Sequence, residues 1–309
     1  MFIILMSLWL ICTIVNSEYR VTSTSLSEEI PAKLSSLVCC NYTFKNFVVE
    51  MALDGKTALV TGFAGAIGST IAKTLANAGC DVIGIDRVKQ KIAQKSIDEI
   101  KAGNRQDISY FECDLLKKED VKNVSLEIKP TCKVDIIVNV AGQLTVDKVE
   151  DMTAEDWDED IGINLTAPFL VIKQFLGSMK EKGWGRIINI SSTCGLVARP
   201  SMSSYVASKT GLVGLTRAVA LESAEFGVTC NAICPSTVDT PLVTKMIKDF
   251  QKTSTKSFDE MKEEYIQCLP TKRFTEASQI ADLVVFLCSP AGNNITGTAI
   301  PVDGGYTTS

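Results

Sequence analysis

From Lys56 onward, short runs rich in β-branched residues alternate with helix-length stretches whose apolar residues recur every three to four positions. The pattern predicts strands over 57–61, 81–86, 108–113, 135–139, 186–191, 229–234 and 298–302. Between them it predicts helices over 66–78, 88–102, 118–128, 204–226 and 276–288. A longer helical stretch over 154–182 is interrupted near Pro168, and a polar stretch of helical pattern over 241–269 is set off by Pro241 and Pro270. The strands are continuously apolar rather than alternating, which marks a sheet covered on both faces. Strand-helix alternation then builds an α/β doubly wound parallel sheet, with ligands at the carboxyl ends of the strands.

The first fifty residues follow a different pattern. Phe2 to Val15 is almost wholly apolar, too short for a comfortable membrane span and of signal-peptide length, with Ser17 as a candidate cleavage point. No Lys or Arg precedes the run, so the usual positive start is missing. Residues 1–17 are read as a hydrophobic or signal segment, and 18–50 as a linker or a mis-assigned extension. Met51-Ala-Leu-Asp-Gly-Lys56 reads as an enzyme start, which makes 51–309 the catalytic domain. N-x-S/T sequons occur at Asn41, Asn123, Asn164, Asn189 and Asn294. Glycans on Asn164 and Asn189, both placed in the core, would block folding. That favours the cytoplasm, with the secretory route as the alternative.

Composition narrows the chemistry. The 309 residues suffice for one large domain, and the net charge of −5 without basic blocks points away from nucleic acid and anionic membrane surfaces. The chain has no histidine, which removes Ser-His-Asp hydrolysis and histidine-ligated metal sites, and no metal is expected. Its 11 cysteines lack a CxxC pair and read as buried thiols; the adjacent Cys39-Cys40 lies outside the core pattern.

Two motifs carry the chemistry. Thr61-Gly-Phe-Ala-Gly-Ala-Ile-Gly68 follows the first strand and opens the first helix. Gly62 permits the sharp exit, Gly65 and Gly68 permit close backbone approach to a pyrophosphate, and the helix start offers free N–H groups. Thr61, Gly62, Gly65, Ile67 and Gly68 are therefore the candidate phosphate loop of a nicotinamide dinucleotide. Asp86 ends the second strand, where a carboxylate accepts ribose hydroxyls and repels a 2′-phosphate, favouring NAD over NADP. Arg87 beside it pulls the other way, and a strand-end cap is the bland reading of Asp86. Asp114 reads either as an adenine contact or as the N-cap of the following helix.

The second motif is Ser192 followed by Tyr205-Val-Ala-Ser-Lys209. Tyr205 and Lys209, at i and i+4, share one helix face. An ammonium beside a phenol favours the phenolate, so Lys209, with the positive nicotinamide, would make Tyr205 a usable acid and base. Ser192 would hold the substrate oxygen, and Asn164 a water leading from Lys209 to solvent. Lys209 would also hold the nicotinamide ribose, so Tyr205 and Lys209 count among the coenzyme contacts as well. A solvated surface pair is the bland reading of Tyr205 and Lys209.

Together with Asn139-Val-Ala-Gly142, these residues resemble the short-chain dehydrogenase/reductase family over 52–309. The resemblance implies a single Rossmann-like domain, a homodimer or homotetramer, a small-molecule substrate, and NAD-linked oxidation of secondary alcohols with Tyr205 as general acid and base. A non-catalytic coenzyme-binding scaffold is the alternative from another class. The resemblance also implies that Asn139, Ala141 and Gly142 support the adenine side. Pro235, Val238 and Thr240 would lie by the carboxamide, and 241–269 would form a helical substrate lid. Pro235-Ser236 replaces the usual Pro-Gly.

The stretches VGLTRAVALESAEFGVTCNAICP and ITGTAIPVDGGYT resemble the hydroxybutyrate dehydrogenase branch. That branch implies 3-hydroxybutyrate or 3-hydroxyacyl substrates held by polar and basic anchors. Cys194, Met202 and Met246 stand at three of those places, and Gln143 is one position early for another. Lost anchors imply weak hydroxybutyrate turnover and a more apolar substrate. Arg199 and Lys272 are the candidates for a replacement cation, against solvated surface charge.

Overall fold

A computed structural model describes residues 53–252 and 254–308. The N-terminal segment, Cys39-Cys40, Asn41 and Met51 lie outside the described residues. Seven strands form one parallel sheet: β1 (Thr57–Thr61), β2 (Asp81–Asp86), β3 (Ile108–Glu112), β4 (Ile136–Asn139), β5 (Gly185–Ile190), β6 (Val228–Pro235) and β7 (Ala299–Val302). Their order is β3-β2-β1-β4-β5-β6-β7. Every residue of β4, β5 and β6 is buried, whereas the edge strands β3 and β7 are partly exposed, as continuous apolar runs at the centre require.

Helices cover both faces. One face packs Val60, Ile188 and Ile233 against α1 (Ala66–Asn77), α2 (Gln90–Gly103) and α9 (Ala277–Cys288), through Ile71, Leu75, Ile97, Ile280 and Val284. The other packs Leu59, Ile137 and Ile187 against α3 (Lys118–Ile128), α5 (Ala167–Lys182) and α6 (Ser203–Ser223), through Val121, Val171, Phe175 and Val219. The chain leaves β1 toward β2 and β3, then returns to β4 on the other side of β1. That reversal opens a crevice at the carboxyl ends of β1 and β4.

The sheet and its helices match the predicted elements within one or two residues at most ends. The long helical stretch is α4 (Ala154–Ile161), a π-helical turn (Gly162–Thr166) and α5, so the interruption precedes Pro168. Pro168 follows directly on the π turn, at the second residue of α5. Residues 241–269 hold two helices, α7 (Pro241–Gln251) and α8 (Phe258–Gln267), the second opened by a Ser257–Glu260 capping box. Phe250, Phe258, Met261 and Tyr265 from this region pack with Leu144, Cys194 and Met202 in a third apolar cluster above the sheet. The eight cysteines among the described residues are free, six of them buried. Asn164 and Asn189 are fully buried.

Candidate active site

The crevice is built by close backbone contact. Gly62 has φ +63°, and a Cβ there would lie 2.9 Å from the Ala141 backbone. A Cβ on Gly68 would lie 2.1 Å from the Gly62 carbonyl oxygen. Both positions therefore demand glycine, which lets the start of α1 press against the loop and aim its free N–H groups into the crevice. Thr61 supports the floor from behind, its hydroxyl accepting from the Val140 and Ala141 N–H groups at 3.0 and 3.2 Å. A cavity of about 340 Å³ opens over the loop, lined by Gly62, Gly65, Ile67, Gly68, Asp86, Asp114, Ala141, Gly142, Gln143 and Thr240 among others.

Asp86 acts as a local cap and also faces the cavity. Its carboxylate accepts from the Ala64 N–H at 3.0 Å and the Val88 N–H at 3.3 Å, and it still lines the cavity beside Arg87. A carboxylate has about four acceptor sites, so capacity for hydroxyl donors remains. Asp114 is not the cap of α3, which begins four positions later at Lys118 with Lys117 in the cap position. Its carboxylate instead accepts from the Leu116 N–H and pairs with Lys117 at 3.5 Å. The glycine cradle, the helix start and the acceptor on β2 fit a nicotinamide dinucleotide.

Six residues predicted to touch coenzyme are not among those lining the cavity, Tyr205 and Lys209 (described below) among them. Thr61 acts from behind as described. Asn139 lies within the sheet, donating to Asn189 Oδ1 at 2.8 Å, with its own Oδ1 buried and unpartnered. Pro235 closes β6, and Val238 forms a short parallel bridge with Thr275. Thr240 does line the cavity, and its hydroxyl caps α7 by accepting from the Val243 N–H at 3.3 Å.

The proton-handling residues meet at the ends of β5 and α6. Ser192 caps a 3-10 turn, Thr193–Gly195, accepting from the Cys194 N–H at 3.1 Å. Tyr205 and Ser192 line one small cavity of about 70 Å³. Lys209 is buried behind them, its Nζ 5.6 Å from the Tyr205 ring centre and donating to the Ile190 carbonyl at 2.9 Å. Leu242 lines both this cavity and the larger one, so the two adjoin.

Burial dominates the electrostatics of the pair in the protein by itself. Burial pushes the Tyr205 phenol above its usual range; the Cys194 thiol adds to this, and a side-chain hydrogen bond with Ser192 opposes it. Burial also lowers the Lys209 ammonium from 10.5 to about 8. Desolvation therefore outweighs any pull of Lys209 on the phenol in the protein by itself.

Asn164 sits in the π turn, fully buried. Its amide donates to the Gln143 carbonyl at 2.9 Å and to Ser208 Oγ at 3.2 Å, while its Oδ1 accepts from the Gln143 N–H at 3.1 Å. Both amide hydrogens are thus committed to protein rather than offered to a water. A Cβ on Gly142 would lie 2.8 Å from that Oδ1 and 3.4 Å from Lys209 Nζ, so glycine is needed there too.

Of the four predicted substrate contacts, Cys194, Met202 and Met246 line the small cavity together. Gln143 does not join them; it lines the larger cavity and donates to Glu159 at 3.2 Å. Leu144, Leu242 and Val243 complete an apolar wall, and Ser236 brings a buried, unpartnered hydroxyl. Arg199 lines this cavity, whereas Lys272 donates to the Gln267 carbonyl at 2.6 Å. Sequence reading missed Asp160, which is fully buried and accepts from the Thr145 N–H, the Thr145 hydroxyl and Ser204 Oγ at 3.1, 3.3 and 2.5 Å. An acidic residue in a polar helix gives no local sign of such burial.

Comparison with known proteins agrees with this geometry. A family model described as enoyl-(acyl carrier protein) reductase matches residues 62–307. D-beta-hydroxybutyrate dehydrogenase of Rhizobium meliloti is 40% identical over 254 residues, covering 82% of this chain and 98% of that one. The protein of the same name from Cupriavidus necator is 40% identical over 261 residues, again 82% and 98%. Among solved structures, a putative NAD(P)-dependent gluconate 5-dehydrogenase from Beutenbergia cavernae, with NADP bound at low occupancy, superposes with a TM-score of 0.77. It is 32% identical and covers 84% of this chain and 100% of its own. With a matching family model over most of its length and the Ser192, Tyr205 and Lys209 group beside a dinucleotide crevice, the chain belongs to the short-chain dehydrogenase/reductase family of oxidoreductases acting on CH–OH groups.

Proposed function

We propose that the protein is an NAD-linked dehydrogenase of short secondary alcohols and the corresponding ketones, with Tyr205 as general acid and base. The observation that carries this reading is the meeting of Ser192 and Tyr205 in one cavity, backed by buried Lys209 and adjoining the glycine-floored crevice. Bound nicotinamide would supply or accept the hydride. The chain's residues then have separable tasks. Ser192 bonds the substrate oxygen and fixes it beside the Tyr205 phenol. Tyr205 gives its proton to that oxygen during reduction and takes it back during oxidation. Lys209 supplies the fixed positive charge, and Asp160 favours that charge from within the fold. Because burial opposes a phenolate, the positive coenzyme ring adds the attraction that Lys209 alone does not provide.

Asp86 supports NAD over NADP, since its carboxylate faces the crevice and would repel a 2′-phosphate. Helices α7 and α8 serve as the lid: their apolar side chains close over Tyr205 in one cluster. The wall of Leu144, Met202, Leu242, Val243 and Met246 suits an aliphatic substrate body. A homodimer or homotetramer is proposed on the family resemblance.

A second reading narrows the substrate to 3-hydroxybutyrate or a related 3-hydroxyacyl compound, favoured by the two relatives at 40% identity. Against it, Cys194, Met202 and Met246 offer a carboxylate no charge-assisted bond. A panel of secondary alcohols, hydroxy acids and keto compounds, followed by NADH absorbance, tests both readings. Coenzyme-dependent turnover of at least one short alcohol is expected. A coenzyme complex that turns over none of them would favour a binding scaffold.

A further inference from the structure

Arg199 stands on the loop between Ser192 and Tyr205, and it is the cation that lines the small catalytic cavity. The same side chain lines an adjoining pocket of about 530 Å³ on its other side, with Tyr265 and Tyr306. Its guanidinium carbon lies 4.7 Å from the Tyr306 ring centre and 5.8 Å from that of Tyr265. Tyr265 belongs to α8, and Tyr306 to a 3-10 turn near the C-terminus. Asp303 pins that turn by accepting from the N–H groups of Gly305 and Thr307, both at 2.9 Å. Three separate parts of the chain thus converge on one positive side chain.

Among the described residues that side chain has no polar partner at its Nε. Its Nε is buried without a hydrogen-bond acceptor, and no ion pair of Arg199 occurs among the described residues. The carboxylate of Glu264, which lines the same pocket, is paired with Lys256. Aromatic rings satisfy the faces of a guanidinium but leave its N–H edge, a planar fork matched to a carboxylate. Holding the buried Nε of that fork with no acceptor is unfavourable unless a ligand completes it. Every other wall of the catalytic cavity is apolar or belongs to Ser192, Thr193, Tyr205, Ser236 and Thr237.

The geometry points to Arg199 as the specificity-determining residue that binds the end of the substrate remote from the reacting carbon and selects a carboxylate there. The inference rests on the dehydrogenase reading above and deepens it. The substrate is then a short hydroxy acid, or its oxo acid, with the reacting oxygen at Ser192 and Tyr205. Its aliphatic body lies on Met202, Leu242 and Met246, and its charge meets a different residue from those the hydroxybutyrate branch implies. Docking of α8 against Arg199 through Tyr265 would couple lid closure to anion binding.

The test compares D-3-hydroxybutyrate and D-3-hydroxyhexanoate with their methyl esters, in wild type, Arg199→Met and Arg199→Lys. The readout is the acid-to-ester ratio of kcat/KM, which cancels any general damage to folding or coenzyme binding. Wild type favours the acids. Arg199→Met lowers the ratio about 10- to 100-fold, as loss of a charge-assisted bidentate contact implies, and Arg199→Lys keeps part of it. A ratio unchanged by Arg199→Met overturns the inference while leaving the dehydrogenase reading intact. If wild type turns over neither acid nor ester, the dehydrogenase reading is what fails for this substrate class. The affinity of the NADH-loaded protein for butyrate, by calorimetry, still decides the role of Arg199. A rise in Kd of about tenfold in Arg199→Met supports an anion site, and an unchanged Kd rejects it.

Discussion

The buried ammonium of Lys209 makes a stability prediction that needs no substrate. Burial lowers its pKa from 10.5 to about 8, while the unfolded chain keeps the ordinary value. Between those values the unfolded state binds more protons than the folded one, so stability rises with pH across that window. Below pH 8 the charged lysine strains the fold by a constant amount, about 3 kcal/mol from the gap between the two values. About 2 kcal/mol of that is recovered between pH 7 and 9.5. Lys209→Met keeps the length of the side chain and removes the charge. It also strips the Ile190 carbonyl of its donor, a loss that does not vary with pH. Urea unfolding of both proteins at several pH values isolates the effect, because titrations common to both cancel in the difference. Wild type is expected to gain about 2 kcal/mol on the variant from pH 7 to 9.5. A difference that stays flat, or moves the other way, would show that Lys209 is not held charged against its surroundings.

Further outcomes follow from the same structure. Gly68→Ala places a Cβ 2.1 Å from the Gly62 carbonyl and should weaken NADH binding, read by fluorescence titration, at least about tenfold. Gly103→Ala, where a Cβ meets nothing within 4 Å, should leave binding unaltered. Asp160→Ala orphans the three donors it now accepts from, at a cost of about 3 kcal/mol. The melting temperature should drop by roughly 10 °C. A drop under about 2 °C would remove Asp160 from the structural core of the site. Asp86→Ala should narrow the NAD-over-NADP ratio of kcat/KM by about tenfold, through loss of repulsion against a 2′-phosphate. An unaltered ratio would assign coenzyme choice elsewhere.

Much of this architecture was legible because burial on both faces leaves a continuous apolar signature, and β1, β5 and β6 carry it. The phosphate loop was legible for a related reason. Gly68 is forced by the Gly62 carbonyl within the motif, and Gly62 by its positive φ as well as by the distant Ala141 backbone, so much of the motif reports its own geometry. What could not be read were partnerships across long separations. Asn164 binds the Gln143 backbone 21 positions away, and Asp160 binds Ser204 at a separation of 44. Asp160 looks like a solvent-facing residue in a list of letters, and the core position expected of Asn164 did not disclose its partners. The interruption of the long helix was placed at Pro168 because proline is the visible breaker, yet the π turn precedes it and holds Asn164. The spacing of Tyr205 and Lys209 correctly put them on one helix. It did not reveal that burial would dominate the charge of both. Gln143 shows the same limit: one position along a loop decided which of two adjoining cavities it lines.

The most direct measurement is turnover and coenzyme affinity of Tyr205→Phe, determined side by side on the same preparation. Removing one hydroxyl should lower kcat by about 10³-fold or more, with the Kd for NADH held within about twofold. Turnover retained at a tenth or more of wild type would contradict a phenol that moves the substrate's proton. A parallel loss of NADH binding would make Tyr205 a structural residue instead.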